Sequence, residues 1–326
     1  MKGWKDRKVL VTGCNGFVGG WLVKALVDLG AEVTGLIRDI VPDSALNLLG
    51  YKDRINVVHG DVEDYDLVRR ALNEHDIEVC FHLAAQSQVG VANRSPVSTF
   101  KTNIMGTLSV LEASRKLGTL EAIVVASSDK AYGVHKTLPY EENFALRGTH
   151  PYDASKACAD ILSQAYFNTY NLPVAVGRCG NIFGPCDPNM KRIVPDTMRA
   201  LSVCKAPIIR SDGKYIRDYI FVEDAVSAYL SLGEALLDKK KGALGEAFNF
   251  GTGRPVSVLE LVNMMIKASG KKVKPRILNA ATGEIREQYL SSRKARSVLG
   301  WKPRHTLESA VKATCKWYGK HLKGKA

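Results

Sequence analysis

Apolar residues along this chain alternate between two spacings. Val9-Leu10-Val11 is a short unbroken apolar run ending at Thr12-Gly13. The apolar positions that follow, Phe17, Val18, Trp21, Leu22, Ala25, Leu26 and Leu29, recur at the three- and four-residue interval of one helix face. The helix is expected to stop at Gly30, and residues 33–37 resume as a strand. Strand, helix and strand of this size make one right-handed parallel crossover. The pattern then repeats. Buried-type strands are predicted at 55–58, 77–81, 122–126 and 174–176, and helices around 64–75, 96–117 and 153–170 separate them. Unbroken apolar strands alternating with amphipathic helices predict an α/β fold, a doubly wound parallel sheet covered on both faces.

After Arg178 the alternation lapses into a stretch punctuated by Gly180, Gly184, Pro185, Pro188 and Pro195, where a second, smaller region should begin. A strand over 219–222, followed by a helix from Ala225 to Leu236, reads as a return to the main sheet, as does 248–250 ahead of Gly251. The expected division is therefore a sheet domain of 1–178 plus 216–251, and a smaller C-terminal α/β domain of 179–215 plus 252–326. The last stretch mixes short helices and loops and ends in a basic tail with Lys316, Lys320, Lys323 and Lys325. There is no internal repeat and no low-complexity tract.

Composition narrows the class. At 326 residues, with 45% hydrophobic and 24% charged, the chain sits near the soluble globular average, which disfavours disordered, collagen-like and disulfide-scaffold readings. Its length exceeds the roughly 250–300 residues at which one core stops growing. The seven cysteines show no Cys-x-x-Cys or Cys/His spacing, so reduced thiols and a cytoplasmic protein are expected, and the scattered histidines suggest no metal site. No apolar run approaches the roughly 20 residues that span a bilayer, and a first strand near Lys8 leaves no room for a signal peptide. The outlier is charge: 46 basic against 33 acidic residues give +13, which calls for an anionic partner or a solvated basic surface.

The candidate chemistry gathers at strand ends. Gly13, Gly16 and Gly19 stand between the first strand and the first helix, where the backbone must turn tightly and approach a phosphate at a helix N-terminus. That context makes Gly13, Asn15, Gly16, Phe17, Val18 and Gly19 a dinucleotide loop and the sheet Rossmann-type. The second strand ends in Arg38 and then Asp39, where an acid would bind a ribose 2′-hydroxyl. Arg38 either pairs with a 2′-phosphate, a slight lean to NADP, or stacks on adenine. Asp61, before Val62, is placed to accept from the adenine amino group or to cap the next helix. The fifth strand ends in Ser127-Ser128-Asp129-Lys130, at the carboxyl edge where such sheets hold ligands. Downstream, Tyr152 and Lys156 are four apart on one helix face, and an ammonium beside a phenol lowers the phenol pKa, making Tyr152 a usable base. As an alternative reading, Asp129 is a cap and Lys130 a solvated side chain.

Together these motifs resemble the extended short-chain dehydrogenases/reductases that act on nucleotide sugars, nearly end to end. The resemblance rests on residues 12–19, His82-Leu83-Ala84-Ala85, Asn103, Tyr152 with Lys156, residues 178–185, 217–219 with 222–224, and 299–303. Similar 4-epimerases lack the acid at position 129, and most 4,6-dehydratases carry Glu where this chain has Lys130. The Asp-Lys version resembles CDP-glucose 4,6-dehydratases. The resemblance implies a tightly bound NAD or NADP touched also by Leu83, Ala84 and Ala85. It implies a nucleotide-sugar substrate bound through Gln86, Ser128, Asn181, Arg192, Arg217 and Arg286, with Arg210 a weaker candidate. A homodimer through the helices near 96–117 and 153–170 is implied as well. In the chemistry it suggests, Tyr152 and Ser128 serve oxidation at carbon 4. Lys130 then removes the carbon-5 proton or stabilises the enolate as a cation, and Asp129 protonates the departing 6-hydroxyl. An ionised Asp129–Lys130 pair would oppose both protonation states, so burial must intervene. The rival readings are a GDP-mannose 4,6-dehydratase, a 4-epimerase, a non-catalytic nucleotide-sugar binder, and a nucleic-acid binder. Dispersed basic residues and intact Tyr152 and Lys156 argue against the last two.

Overall fold

The computed structural model describes residues 3–280 and 285–322. Its strands, in chain order, are β1 (Lys8–Thr12), β2 (Glu32–Ile37), β3 (Asn56–His59), β4 (Val79–His82), β5 (Ala122–Ser128), β6 (Val174–Cys179), β7 (Asn181–Phe183), β8 (Ile208–Ile209), β9 (Ile216–Phe221), β10 (Ala247–Phe250), β11 (Pro255–Ser257), β12 (Arg276–Ile277) and β13 (Glu287–Gln288). Seven of these form a parallel sheet in the order β10-β6-β5-β4-β1-β2-β3.

Both faces of the sheet are buried, and alternation along each strand decides which residue serves which face. Val9, Val11 and Val124 join Leu22, Leu26, Tyr229 and Leu232 in one core, beneath the helices Phe17–Asp28 and Val222–Leu237. Leu10, Ile123 and Val125 point the other way, onto Val68, Leu72, Val110 and Leu111 of the helices Tyr65–Glu74 and Gly106–Leu117. From β1 the chain order runs outward in opposite directions through β2 and β4, so the loop after β1 opens at the switch point where open α/β sheets bind ligands.

A second core, containing Phe183, Met198, Tyr219, Phe221, Leu261 and Tyr318, lies in the smaller region. Here one expectation is corrected. The segment around 219–222 does not return to the main sheet. Residues Ile216–Phe221 pair with β7, β11 and β13 in a separate small sheet, while Ile220 and the helix Val222–Leu237 pack into the core of the main one. The place beside β6 is taken by β10, in the register Ala247↔Val176, as the pattern at 248–250 suggested. Apolar spacing reports that a strand is buried, not which neighbour buries it.

The segment around 96–117 is also more than one helix. A short helix Pro96–Phe100 runs into a π-helical turn, Lys101–Met105, before Gly106–Leu117. Such turns often mark functional positions, and this one turns Asn103 inward. Among the described residues no helix is long and apolar enough to cross a membrane.

Candidate active site

The loop after β1 lies against the loop after β4 because neither Gly13 nor Gly19 has a side chain. Gly13 has φ +70°, and a Cβ there would lie 2.7 Å from the amide nitrogen of Ala84; one on Gly19 would lie 2.1 Å from the Gly13 carbonyl oxygen. The helix Phe17–Asp28 begins with no side-chain cap on its first amides, which leaves them to an anion. Every residue assigned from sequence to the cofactor, including Asn15, Gly16, Phe17, Val18, Leu83, Ala84, Ala85 and Val62, lines one cleft of about 540 Å³ here, together with Tyr152 and Lys156.

Below the loop a buried chain of hydrogen bonds fixes its path. The Ala84 amide donates to Thr12 Oγ1 at 3.1 Å, and Thr12 Oγ1 meets His82 Nδ1 at 2.8 Å. His82 Nε2 meets Thr107 Oγ1 at 3.0 Å, and the Thr107 hydroxyl itself donates to the Asn103 carbonyl at 2.7 Å. Since the Thr107 proton is committed to Asn103, Nε2 is the donor and His82 is neutral. Burial, with the nearby Lys156 charge adding to it, holds the His82 pKa down to about 3.

At the outer end of this cleft Arg38 does not face a bare pocket. Its Nε donates to Asp39 at 2.8 Å and stands 3.7 Å from the Asp61 carboxylate. Asp61 is not the cap of the next helix; Asp64 is, accepting from the Leu67 amide at 3.0 Å.

The far end of β5 carries the candidate catalytic groups. Ser128 Oγ accepts the Lys130 amide at 3.2 Å and caps a single 3₁₀ turn, Asp129–Tyr132. Asp129 is 1% exposed, and its Oδ2 makes no hydrogen bond among the described residues. Burial raises its pKa against the opposing pull of Lys130 and the Ser128 hydroxyl. The alternative of a capping Asp129 and a solvated Lys130 is thereby overturned: Ser128 is the cap, and the half-buried Lys130 donates from Nζ to Gln288 Oε1 at 2.7 Å.

Pro151 sets the first turn of the helix Pro151–Tyr170, which presents Tyr152 and Lys156 to the cleft. Lys156 is buried and its Nζ donates to the Ala126 carbonyl at 2.7 Å. Burial lowers its pKa to about 8. The expectation that Lys156 depresses the phenol is corrected. Burial pushes Tyr152 up to about 12, and the cation that pulls it down is Arg192, helped by the Ser128 hydroxyl.

Two further hollows adjoin the cofactor cleft and continue it. One, lined by Ser128, Lys130, Tyr152, Asn181 and Arg192, leads to another of about 360 Å³ that includes Arg210, Arg217 and Tyr219. Arg192 borders all three and holds Asp187 at 3.2 Å. Arg217 is buried and donates to the Ile216 and Arg286 carbonyls. Arg286 is not among the residues lining these hollows; its exposed guanidinium meets Asp212 at 3.4 Å, and only its backbone serves Arg217. Gln86 lines the cofactor cleft, held through its amide by Asn103 Oδ1 at 2.7 Å.

The family profile described as GDP-mannose 4,6 dehydratase matches residues 10–314. The chain belongs to this family of extended short-chain dehydrogenases/reductases. Among relatives, it is 31% identical to the CDP-glucose 4,6-dehydratase of Salmonella typhimurium, over 98% of this chain and 93% of that protein. Among solved structures, the UDP-glucose 4-epimerase of Thermotoga maritima with UDP-glucose superposes with a TM-score of 0.89 at 31% identity, covering 97% of this chain and 99% of that one. The dTDP-glucose 4,6-dehydratase of Bacillus anthracis in complex with NAD gives 0.84 at 26% identity, covering 97% and 98%. Dehydratases and epimerases of nucleotide sugars are thus equally near.

Some residues that build the site in this family member carry no local sequence signal. Gln288 reaches the turn Asp129–Tyr132 from β13, and Ser155 accepts from Asn103 at 2.8 Å while donating to the Tyr152 carbonyl at 2.7 Å. Asp153, on the same turn, is buried with Oδ1 unpaired among the described residues and lines the hollow beside Lys130. Its place next to Tyr152 was visible; its inward aim was not.

Proposed function

We propose that this chain is a nucleotide-sugar 4,6-dehydratase, converting an NDP-hexose into the 4-keto-6-deoxy sugar and water, with CDP-glucose the favoured substrate. The observation that carries the reading is Asp129: a buried carboxyl with a raised pKa, set between Ser128 and Lys130, both of which line the hollow that Tyr152 also lines. A carboxyl whose pKa is raised is the better proton donor for loss of a hydroxide as water. The likeness to the Salmonella enzyme supports the choice of CDP-glucose.

The glycine loop and the cleft behind it fit a nicotinamide dinucleotide, since any Cβ at Gly13 or Gly19 would fill the turn and the uncapped helix amides would be available to hold its pyrophosphate. When bound, that group supplies the hydride sink for carbon 4 and the hydride that carbon 6 receives. Tyr152, ionised against the effect of burial by Arg192 and the Ser128 hydroxyl, takes the proton of the sugar 4-hydroxyl, with Ser128 holding the same oxygen. The ketone left at carbon 4 acidifies the proton on carbon 5. Lys130 removes it, Asp129 gives its proton to the 6-hydroxyl, water departs, and a proton returns to carbon 5. Asn181, Arg192 and Arg217 hold the substrate's pyrophosphate. In this arrangement the substrate lies between the sheet domain and the pieces 179–221 and 252–326. Arg38, flanked by Asp39 and Asp61, favours NAD, because a 2′-phosphate there would meet two carboxylates. The active molecule is a homodimer.

A specific observation favours a second reading, a 4-epimerase: the Thermotoga epimerase superposes over nearly the whole chain. Separate incubation with CDP-glucose, dTDP-glucose, UDP-glucose and GDP-mannose in heavy water, with NAD or NADP added, decides between them by mass spectrometry. A dehydratase yields one product lighter by water and carrying deuterium at carbon 5, faster with NAD. A sugar that keeps its oxygen and changes only its stereochemistry establishes the epimerase.

A further inference from the structure

Lys130 is held from the far side of the molecule. Its Nζ donates to Gln288 Oε1 at 2.7 Å, and the Nε2 of the same amide donates to the Asp129 carbonyl at 2.9 Å. Both ends of one side chain therefore engage adjacent residues of the catalytic turn. Gln288 is 0% exposed and belongs to β13, whose register opposite β9 sets it against Arg217. Arg217 in turn lines the hollow assigned to the substrate's phosphates. The amide thus joins the strand pair of the small region to the turn at the end of β5.

A lysine stem has four rotatable bonds, and an amino group left to itself samples many positions around a reacting carbon. An amide fixed by its own N–H on the Asp129 carbonyl offers a single, oriented acceptor. It aims Lys130 without adding a charge beside the Asp129 carboxyl. The geometry points to Gln288 as a positioning residue: it fixes Lys130 for the water-elimination step while taking no part in oxidation at carbon 4. This rests on the dehydratase reading.

The test separates the two half-reactions in the full-length protein with the nucleotide sugar it turns over. Gln288→Leu, which keeps the volume and removes both hydrogen bonds, should slow release of water about 10–100-fold, the usual worth of a hydrogen bond to a charged group. KM should stay within about twofold and reduced nicotinamide should accumulate, because carbon 4 is still oxidised. Lys130→Met should do the same more severely, and Gln288→Leu added to Lys130→Met should cost no further rate, since the aimed group is already gone. A purely structural role would instead lower oxidation and elimination together and add to the Lys130→Met loss. That outcome overturns the inference, as does a Gln288→Leu enzyme that eliminates water at the normal rate. If Gln288→Leu does not fold, Gln288→Met is read by the same cycle. Normal elimination by Lys130→Met would overturn the inference by removing Lys130 from the step, whereas a wild-type protein that removes water from none of the four nucleotide sugars would sink the dehydratase assignment itself, which keeps the two failures apart.

Discussion

The relation between Tyr152 and Lys156 is legible because four residues of helix fix it, and that of Ser128 with Asp129 and Lys130 because they are contiguous. What sequence does not carry is the electrostatic outcome. Asp129 and Lys130, read as neighbours, should ionise each other; burial of Asp129 tips the carboxyl the other way. Asp129→Asn should therefore keep oxidation at carbon 4 and lose water release, seen as reduced nicotinamide without a product lighter by water. Complete dehydration by that variant would remove Asp129 from the acid role. Gln288 lies 159 residues from Asp129, and no local pattern ties the two. His82 gives a prediction on stability. Its folded pKa of about 3 lies below the ordinary 6.5, so between those values the unfolded chain binds a proton that the folded chain does not. Stability attributable to His82 is full above pH 6.5 and drains as pH falls toward 3, by on the order of 2 kcal/mol at pH 5. His82→Gln should start less stable at neutral pH yet lose less on acidification. Urea midpoints taken from pH 7 to pH 5 that fall in parallel for both proteins would contradict this.

Elements were read correctly wherever their periodicity and their partner coincide. The strands of the main sheet up to β6 follow from spacing alone, because an unbroken apolar run marks a strand covered on both faces. β9 has the same buried-strand signature and a following helix, yet joins the small sheet, since spacing encodes exposure and not pairing. The π-helical turn Lys101–Met105 is likewise invisible to a count of apolar positions, although it decides where Asn103 points. Through that turn one side chain ties the Gln86 loop at the cofactor cleft to Ser155 on the helix Pro151–Tyr170. Asn103→Leu would bury the Gln86 amide without its acceptor, and the expected cost is about 2 kcal/mol with weaker dinucleotide binding. Calorimetry with NAD, beside thermal melting, reads both; unchanged affinity in a destabilised variant would confine Asn103 to a structural role.

At the scale of the whole molecule, the +13 charge divides between two uses. Arg192, Arg210 and Arg217 border the hollows where a pyrophosphate is proposed, whereas Lys316 and Lys320 lie exposed on the last helix, Leu307–His321. Lys323 and Lys325, assigned from sequence to the same tail, lie outside the described residues. The apolar surface is distributed differently. Val97 is 69% exposed and Ile161 56%, and Phe100 and Met105 are also exposed, all on the segment 96–105 and the helix Pro151–Tyr170. Large apolar side chains gathered on neighbouring elements are what an interface leaves when one partner is viewed alone. In the proposed homodimer a second copy presenting the same face would bury them by two-fold symmetry, and the helix it would cover is the one carrying Tyr152 and Lys156. Sedimentation should accordingly find a dimer at micromolar protein, and the pair Val97→Lys and Ile161→Lys should dissociate it, because two like-charged patches would face their symmetry mates. Melting of that variant should fall with the loss of the partner, and turnover with the support of the catalytic helix. A wild-type protein that sediments as a monomer at all accessible concentrations would leave this surface without its proposed occupant.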